Sequence, residues 1–467
     1  MNKYIIYTLL LFSNLCVHAQ EMLSLEECRN MAIEHSDELK IAQFQFEKAK
    51  AERAAMKTHY LPSLAGSATG VYLHKNIEME LYLPTVVPNP TTGELVPNVM
   101  ANPTTGEPIV GADGNPIFNM YAWLPLEISL KGAYLAGISL EQPIYTGGKI
   151  TAANTMTQIG MEMANDNIEL QRAKILYDTD QAYWLFVSVQ EKVKLAESYN
   201  KLLQQLEERV QLSHKTGLIT QNEVLKVKVQ HNEAKLQLQK ARNGLELTRM
   251  ALCRQVGLPL ETKIATTDSV TIGSIQFASI DDQADITNRP EFKLMQKNVG
   301  LAQQQIKLAR ADFLPTAGLS VGYNYVGGTE FGNADYSSSN ASVLATVKIP
   351  IFHWGEGKQK QLAAQLEHSM KQQEMNKNTT LMKLEIEQAR LNVLDAQTRV
   401  QLAQESLKQA DENLRVHTDN YEVGMAVLTD LLEAQAQWQQ VYSELIEAKA
   451  DMKLKETAWQ KALGILN

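Results

Sequence analysis

The stretch Tyr421-Glu-Val-Gly424-Met-Ala-Val-Leu-Thr429-Asp430-Leu-Leu-Glu433-Ala-Gln435 sets an isolated glycine between two long helical patterns, then adds two carboxylates three residues apart. A related turn occurs earlier, Lys215-Thr-Gly217-Leu-Ile-Thr220-Gln-Asn-Glu223-Val-Leu225. The glycines are 207 residues apart, and much of the chain repeats at that offset. Such self-similarity marks a duplicated structural unit. The two turns are where function is expected to concentrate.

Outward from each turn run heptads. From Lys149 to His214 there is no proline, and Ile168, Ile175, Ala182, Val189, Ala196, Leu203 and Val210 recur seven apart. Sustained over this length, the pattern predicts a coiled coil rather than a globular helix. After Gly217 the chain returns with Val224, His231, Leu238, Leu245 and Leu252, accompanied by Val227, Ala234 and Ala241. The second copy has Ile386, Val393, Val400, Leu407 and Leu414 against Ala389, Ala396, Ala403 and Ala410, then Leu431, Trp438, Leu445, Met452 and Trp459. Two antiparallel helical hairpins are predicted, over 149–257 and 358–465. Trp438 and Trp459 read as core residues on the seam.

Before each hairpin the composition switches to strand. Helices over 24–59, opened by a Ser24/Glu27 capping box, stop at Tyr60-Leu61-Pro62, because the residue before proline leaves the α region. A strand over 63–74, a long loop over 75–131 and a strand over 133–142 ended by Pro143 follow. The loop is dense in Pro, Asn and Gly and contains Asn-Pro-Thr-Thr-Gly-Glu twice, at 89–94 and 102–107, a turn signal. The second copy predicts a helix over 289–312 stopping at Phe313-Leu314-Pro315, then strands over 317–326 and 341–350. The repeats are read as 20–267 and 268–467, and the loop accounts for the greater length of the first.

Residues 1–19 read as a secretory signal: Lys3, an apolar run from Ile5 to Phe12, and Val17-His-Ala19 as cleavage site. A lipoprotein reading of Cys16 is the alternative, with Leu15 where a small residue is expected. Cys28 and Cys253 then remain, read as small buried hydrophobes without a disulfide framework. The net charge of −9 argues against nucleic acid. No later apolar run reaches the ~18 residues of a membrane helix, so any membrane span must be built of strands. The nine histidines are scattered without metal-ligand spacing, and no nucleophile elbow, P-loop or dinucleotide fingerprint occurs. No enzyme, metal or cofactor is expected. Four strands cannot close a membrane barrel, which takes at least about eight. Either the sheet is a small soluble cap on a helical bundle, or several copies pool their strands. The unfilled helical seams support pooling.

At this point the chain resembles the TolC-like outer membrane efflux proteins. The resemblance rests on the Leu-Pro junctions at Pro62 and Pro315, Pro143 and Pro350 opposite them, Arg289-Pro290-Glu291, Tyr421-Glu-Val-Gly424 and the Ala462-Leu-Gly464 ending. It covers nearly all of the mature chain, and order and duplication carry it more than any single motif. It implies a mainly α fold with a transmembrane β part: a homotrimer whose 12-stranded β-barrel sits in outer-membrane lipid, continuous with a helical tunnel across the periplasm. Its implied function is a passive gated duct, docked to a periplasmic adaptor (membrane fusion) protein and an inner-membrane transporter. The alternative is a periplasmic coiled-coil adaptor or scaffold without a pore, although an adaptor would typically carry one hairpin beside a biotinyl-like domain.

The resemblance also assigns the turns. Asp430 and Glu433 would line the periplasmic entrance, on one helical face by their i, i+3 spacing, as a ring favouring cations. The plainer reading is that acids in a first helical turn complement the helix dipole. Tyr421 fills a tyrosine position of the family's closed gate and Glu223 its aspartate position, while Ala426 stands where an arginine would be. Thr220-Gln-Asn-Glu223 is equally a capping box, so a local role for Glu223 stays open. Gly217, Leu218, Gly424 and Met425 would dock the adaptor, or the glycines would serve simply as left-handed helix caps. Tyr72, Tyr134, Tyr323 and Tyr325 could form an interfacial aromatic belt.

Overall fold

The computed structural model describes residues 21–119, 121–267, 286–331 and 334–466. The secretory signal, Cys16 and the start of the second repeat at 268 lie outside the described residues. In chain order the elements are β1 (Glu21–Leu23), α1 (Leu25–His35), α2 (Asp37–Thr58), β2 (Ser63–Pro84), β3 (Val86–Pro88), β4 (Leu95–Pro97), β5 (Tyr121–Tyr145), α3 (Lys149–Lys215), α4 (Gln221–Val256) and β6 (Ile264–Thr266). A 3-10 turn at Ile286–Asn288 leads into α5 (Pro290–Ala311), β7 (Thr316–Phe331), β8 (Ala334–Lys348), α6 (Glu356–Glu422) and α7 (Leu428–Ala462). They divide into a helical unit, drawn from the chain up to Arg53, 155–306 and 362 onward, and a strand unit of 54–154 and 307–361.

The strand unit is one antiparallel sheet in the order β2-β5-β7-β8, which leaves β2 and β8 as open edges. Ser63 pairs with Glu141, Ala136 with Tyr325, and Gly322 with Ser342. Leu64, Val71, Tyr72, Tyr134, Ile138, Tyr323, Val343 and Val347 are all exposed.

All four strand ranges predicted from alternation need correction. β2 continues to Pro84 and β5 starts at Tyr121, so the predicted 75–131 loop shrinks to its central part. Pairing persists where the pattern fails because a register shift between Tyr72 and Ile77 resets the alternation. β7 runs on to Phe331 across a similar shift between Val326 and Thr329. β8 begins at Ala334 and ends at Lys348, before Pro350, so positions 349–350 fall outside it. Pro143 does not end β5, which runs to Tyr145; an irregularity between Pro143 and Tyr145 accommodates the residue that lacks an N–H.

What remains of the loop is ordered by its own sequence. β3 and β4 form a hairpin. In each Asn-Pro-Thr-Thr-Gly-Glu copy the asparagine side chain accepts from the N–H two residues on, 2.9 Å at Asn89 and 3.0 Å at Asn102. The same asparagines donate their backbone N–H to Glu94 and Glu107 carbonyls at 2.7 and 2.9 Å. The duplicated sequence thus makes the same asparagine-stabilised turn twice.

In the helical unit the heptad positions supply the core. α3 and α4 are 67 and 36 residues long, about 100 and 54 Å at 1.5 Å per residue. Tyr199, Leu203, Leu206 and Val210 of α3 are buried with Val224, Val227 and Ala234 of α4 and with Leu428 and Leu431 of α7. Burying each such Leu or Val contributes about 1.5–3 kcal/mol, so one core ties the ends of both hairpins together. On the second hairpin Ile386, Val393, Ala396 and Val400 are buried, as are Leu445 and Met452. Trp438 is only half-buried and donates its ring N–H to Asp411 at 2.6 Å.

Away from the turns, Cys28 and Cys253 are buried in one cluster with Tyr183, Trp184, Phe186 and Leu252. Beside it lies Asp180, fully buried. The Arg29 guanidinium clasps it through two nitrogens at 2.7 and 2.5 Å, and the Thr457 hydroxyl donates at 2.6 Å. A buried carboxylate without partners would be strongly destabilising. Here Asp180 on α3 takes one partner from α1 and one from α7, and the hydrogen bond from Arg29 raises that guanidinium's pKa. Three-residue β1 and β6 pair in parallel; strands that short carry no periodicity for a sequence reading to find.

Candidate functional site: the paired hairpin turns

The two turns are built alike. Gly217 and Gly424 have φ of +78° and +77°, the left-handed region that L side chains avoid. One residue on, Leu218 donates its N–H to the Ser213 carbonyl at 2.9 Å, and Met425 donates to Asn420 at 2.8 Å. Both are the wrapped helix ends that a left-handed glycine permits. A Cβ at either glycine would meet nothing within 4 Å, so the demand for glycine is conformational and the space around each turn is open.

Their return helices start differently. The Glu223 carboxylate accepts from the Thr220 N–H at 3.2 Å, the reciprocal half of a capping box. α7 is preceded by Val427, whose side chain cannot cap. Asp430 lies in the first turn of α7, where a dipole role suffices. Glu433 lies beyond that turn, and the dipole gives no account of it.

Between the turns is a groove of about 710 Å³, lined by Leu218, Glu223, Tyr421, Gly424, Ala426 and Leu431 among others. Tyr421 is half-buried, and burial, aided by the Glu223 charge, pushes its phenol pKa up. Tyr421, Glu223, Ala426, Leu218 and Gly424 are therefore brought together. Gly217 and Met425 are exposed at the turns themselves, Met425 by 80%. Asp430 and Glu433 are exposed too, and neither is ion-paired among the described residues. Glu433 borders a second groove, about 580 Å³, with Leu225, Lys226 and Val229 of α4. There the Lys226 ammonium donates to the Thr429 hydroxyl at 3.4 Å.

Two features escaped the sequence reading. Arg209 on α3 reaches Glu422 on α6 at 2.6 Å, an exposed ion pair linking the hairpins; nothing in a sequence pairs positions on separate hairpins. Gln435 is buried in the groove wall, and its side-chain oxygen has no partner among the described residues. A glutamine seven residues from the buried Leu428, on the helix face that packs inward, was the available signal.

Two long helical hairpins and two pairs of strands in one open antiparallel sheet define the protomer fold of the outer-membrane channels. The likeness to solved channels is extensive. The Campylobacter jejuni CmeC outer membrane channel superposes with a TM-score of 0.71 over 94% of this chain and 85% of its own, at 18% identity. The open-state Neisseria gonorrhoeae MtrE channel does so with 0.71 over 94% and 88%, at 15% identity. The family described as Outer membrane efflux protein matches residues 283–465. The alkaline protease secretion protein AprF of Pseudomonas aeruginosa is 23% identical over 230 residues, 48% of this chain. That match spans about half the relative's length, 47%. The chain thus resembles the outer membrane efflux proteins over its second repeat and shares the fold of solved outer-membrane channels over nearly its whole length.

Proposed function

We propose that this protein is the outer-membrane channel of a tripartite efflux or secretion system. It gives exported substrates a passive, gated duct from periplasm to exterior and performs no bond chemistry. Three copies pool their strands into a 12-stranded barrel, and their helices form the periplasmic tunnel. A periplasmic adaptor, itself joined to an inner-membrane transporter, grips the turns at Gly217-Leu218 and Gly424-Met425. Asp430 and Glu433 line the entrance.

The observation that carries this reading is the open four-stranded sheet. β2 and β8 each present an unpaired edge, and apolar side chains stay exposed along the strands. In hydrocarbon every backbone N–H and C=O must be paired, which for strands requires closure. Joining the β8 edge of one copy to the β2 edge of the next achieves that, whereas a soluble cap would leave both edges open. Duplicated hairpins, together with likeness to channels over nearly the whole chain, favour the duct over a poreless adaptor. For the closed entrance, Tyr421 and Glu223 share the groove, and the Arg209–Glu422 pair supplies a basic link where Ala426 offers none.

The test is biochemical. Detergent-extracted outer membranes should yield an oligomer that falls to monomer only on boiling, and the purified oligomer should open discrete conductances in planar bilayers. Recovery as a soluble monomer would overturn the proposal.

A further inference from the structure

The apolar core at the hairpin ends is interrupted by one polar layer. His231 of α4 lies between the buried Val227 and Ala234, and Glu207 of α3 between Leu203 and Val210. Gln435 of α7 follows Leu428 and Leu431 by seven and four residues, and His417 of α6 stands between Leu414 and Tyr421. At these helical spacings each of the four helices turns one polar side chain toward the same core. Contacts along the helices set the levels. Lys226 meets Thr429 and Gln237 meets Gln439, which puts His231 opposite Glu433 or Ala434, about 2–3 Å of helical rise from Gln435. Trp438 meets Asp411 and Asn413 meets Gln437, which puts His417 opposite Leu432 or Glu433.

The layer is incompletely satisfied. His231 meets the Glu207 carboxylate through Nδ1 at 2.6 Å. A carboxylate only accepts, so Nδ1 carries the proton, and Nε2 of the neutral ring is a bare acceptor. Nε2 is buried without a partner among the described residues, as are the Gln435 side-chain oxygen and His417 Nδ1. His231 is 4% exposed and Gln435 3%, and polar atoms buried so deeply are nearly always paired. As two acceptors, His231 Nε2 and the Gln435 oxygen have nothing to exchange. A proton on Nε2 makes them donor and acceptor.

We infer that His231 and Gln435 form a proton-operated latch: the protonated imidazole donates from Nε2 to the Gln435 oxygen and ties the first hairpin to the second. This deepens the gated-duct reading, on which its effect on opening rests; the tie itself lies within one chain. Every packed element contributes to the balance. From α3, Glu207 is held below the usual carboxylate range, first by its hydrogen bond with His231 and then by Lys235 and Lys228. It therefore stays ionised while the imidazole takes up a proton. Tyr199 of α3 is engaged by Gln230 at 3.4 Å. Lys228 and Lys235 of α4 itself oppose a further positive charge, as does a protonated His417 from α6. On α7 the neighbouring acids Asp430 and Glu433 point to solvent. Histidine changes charge between about pH 5 and 8, so the latch engages on acidification. Its stabilisation is present at low pH and lost as pH rises and the ring gives up its proton.

The experiment uses the purified full-length protein. In planar bilayers, between about pH 8 and about pH 5.5, the open fraction of wild type should fall roughly tenfold, the scale of one hydrogen bond to a charged group. His231→Gln and Gln435→Leu should each remove that response, and His417→Gln should keep it. A wild type indifferent to acid, a response that survives the first two substitutions, or one lost with His417→Gln would overturn the latch. The second arm needs no channel, and compares thermal unfolding of wild type and Gln435→Leu over the same range. At the alkaline end the leucine removes an unpaired buried oxygen and should be at least as stable as wild type. At the acid end wild type should melt several degrees higher. A difference independent of pH would overturn the latch whatever the bilayers show. If that crossover appears while wild type opens no conductance, the latch stands and the duct reading fails.

Discussion

At Gly217 and Gly424 the chain makes one turn twice, with φ angles a degree apart and the same wrapped helix end, yet the surroundings have diverged in charge. Residues 201–242 hold eight Lys and Arg against four Asp and Glu, while the equivalent 408–449 hold three against eight. The backbone is dictated by a conformation only glycine adopts readily. The charges point outward, where the fold constrains them little. Geometry is therefore what the two ends share, and electrostatics is what sets them apart: a cap-stabilised, base-rich end and an uncapped, acid-rich one.

The largest expected effect attacks what they share. Gly217→Trp forces an L residue into the left-handed region, about 1–2 kcal/mol, and sets an indole on an open turn. Export should be lost while oligomers still reach the outer membrane, and Gly424→Trp should do the same. Survival of export in one of the two variants, in a growth or secretion assay, would show that the turns are not equivalent grips.

The next attacks what distinguishes them. Asp430→Asn with Glu433→Gln should bring the cation-to-anion permeability ratio in planar bilayers toward unity, because rings of carboxylates select cations. Glu223→Gln, whose carboxylate is already committed to the Thr220 N–H, should leave that ratio close to wild type. Equal effects from both would erase the distinction between the two ends.

The smallest effect comes from giving the acidic end a base. Ala426→Arg adds a guanidinium to the groove that Glu223, Tyr421 and Glu422 line, a further tie between hairpins. Single-channel conductance should fall modestly. Unchanged conductance would remove Ala426 from the entrance.

The helical part of the fold was legible because burial repeats: Leu203, Val210, Val224 and Val227 sit seven apart or at companion positions, and all are buried. Strand lengths were not, since pairing continues past a register shift such as that between Tyr72 and Ile77, where a strict period of two no longer follows the strand. At the candidate site the glycines announced themselves, and Tyr421 with Glu223 could be aligned by motif. The Arg209–Glu422 pair could not. Its members belong to different hairpins, and their meeting depends on the axial offset between hairpins, which no local pattern encodes.

The Asp180 clasp carries a consequence for how the molecule is made. Its three members sit at positions 29, 180 and 457, so the hydrogen bonds around the carboxylate are not complete until α7 has arrived. A chain made from its N-terminus presents α1 first and α7 last. Contacts of such long sequence separation slow folding, and α1 and α3 alone would hold the acid with Arg29 but without Thr457. The clasp of the helical unit is therefore finished only by its last long helix.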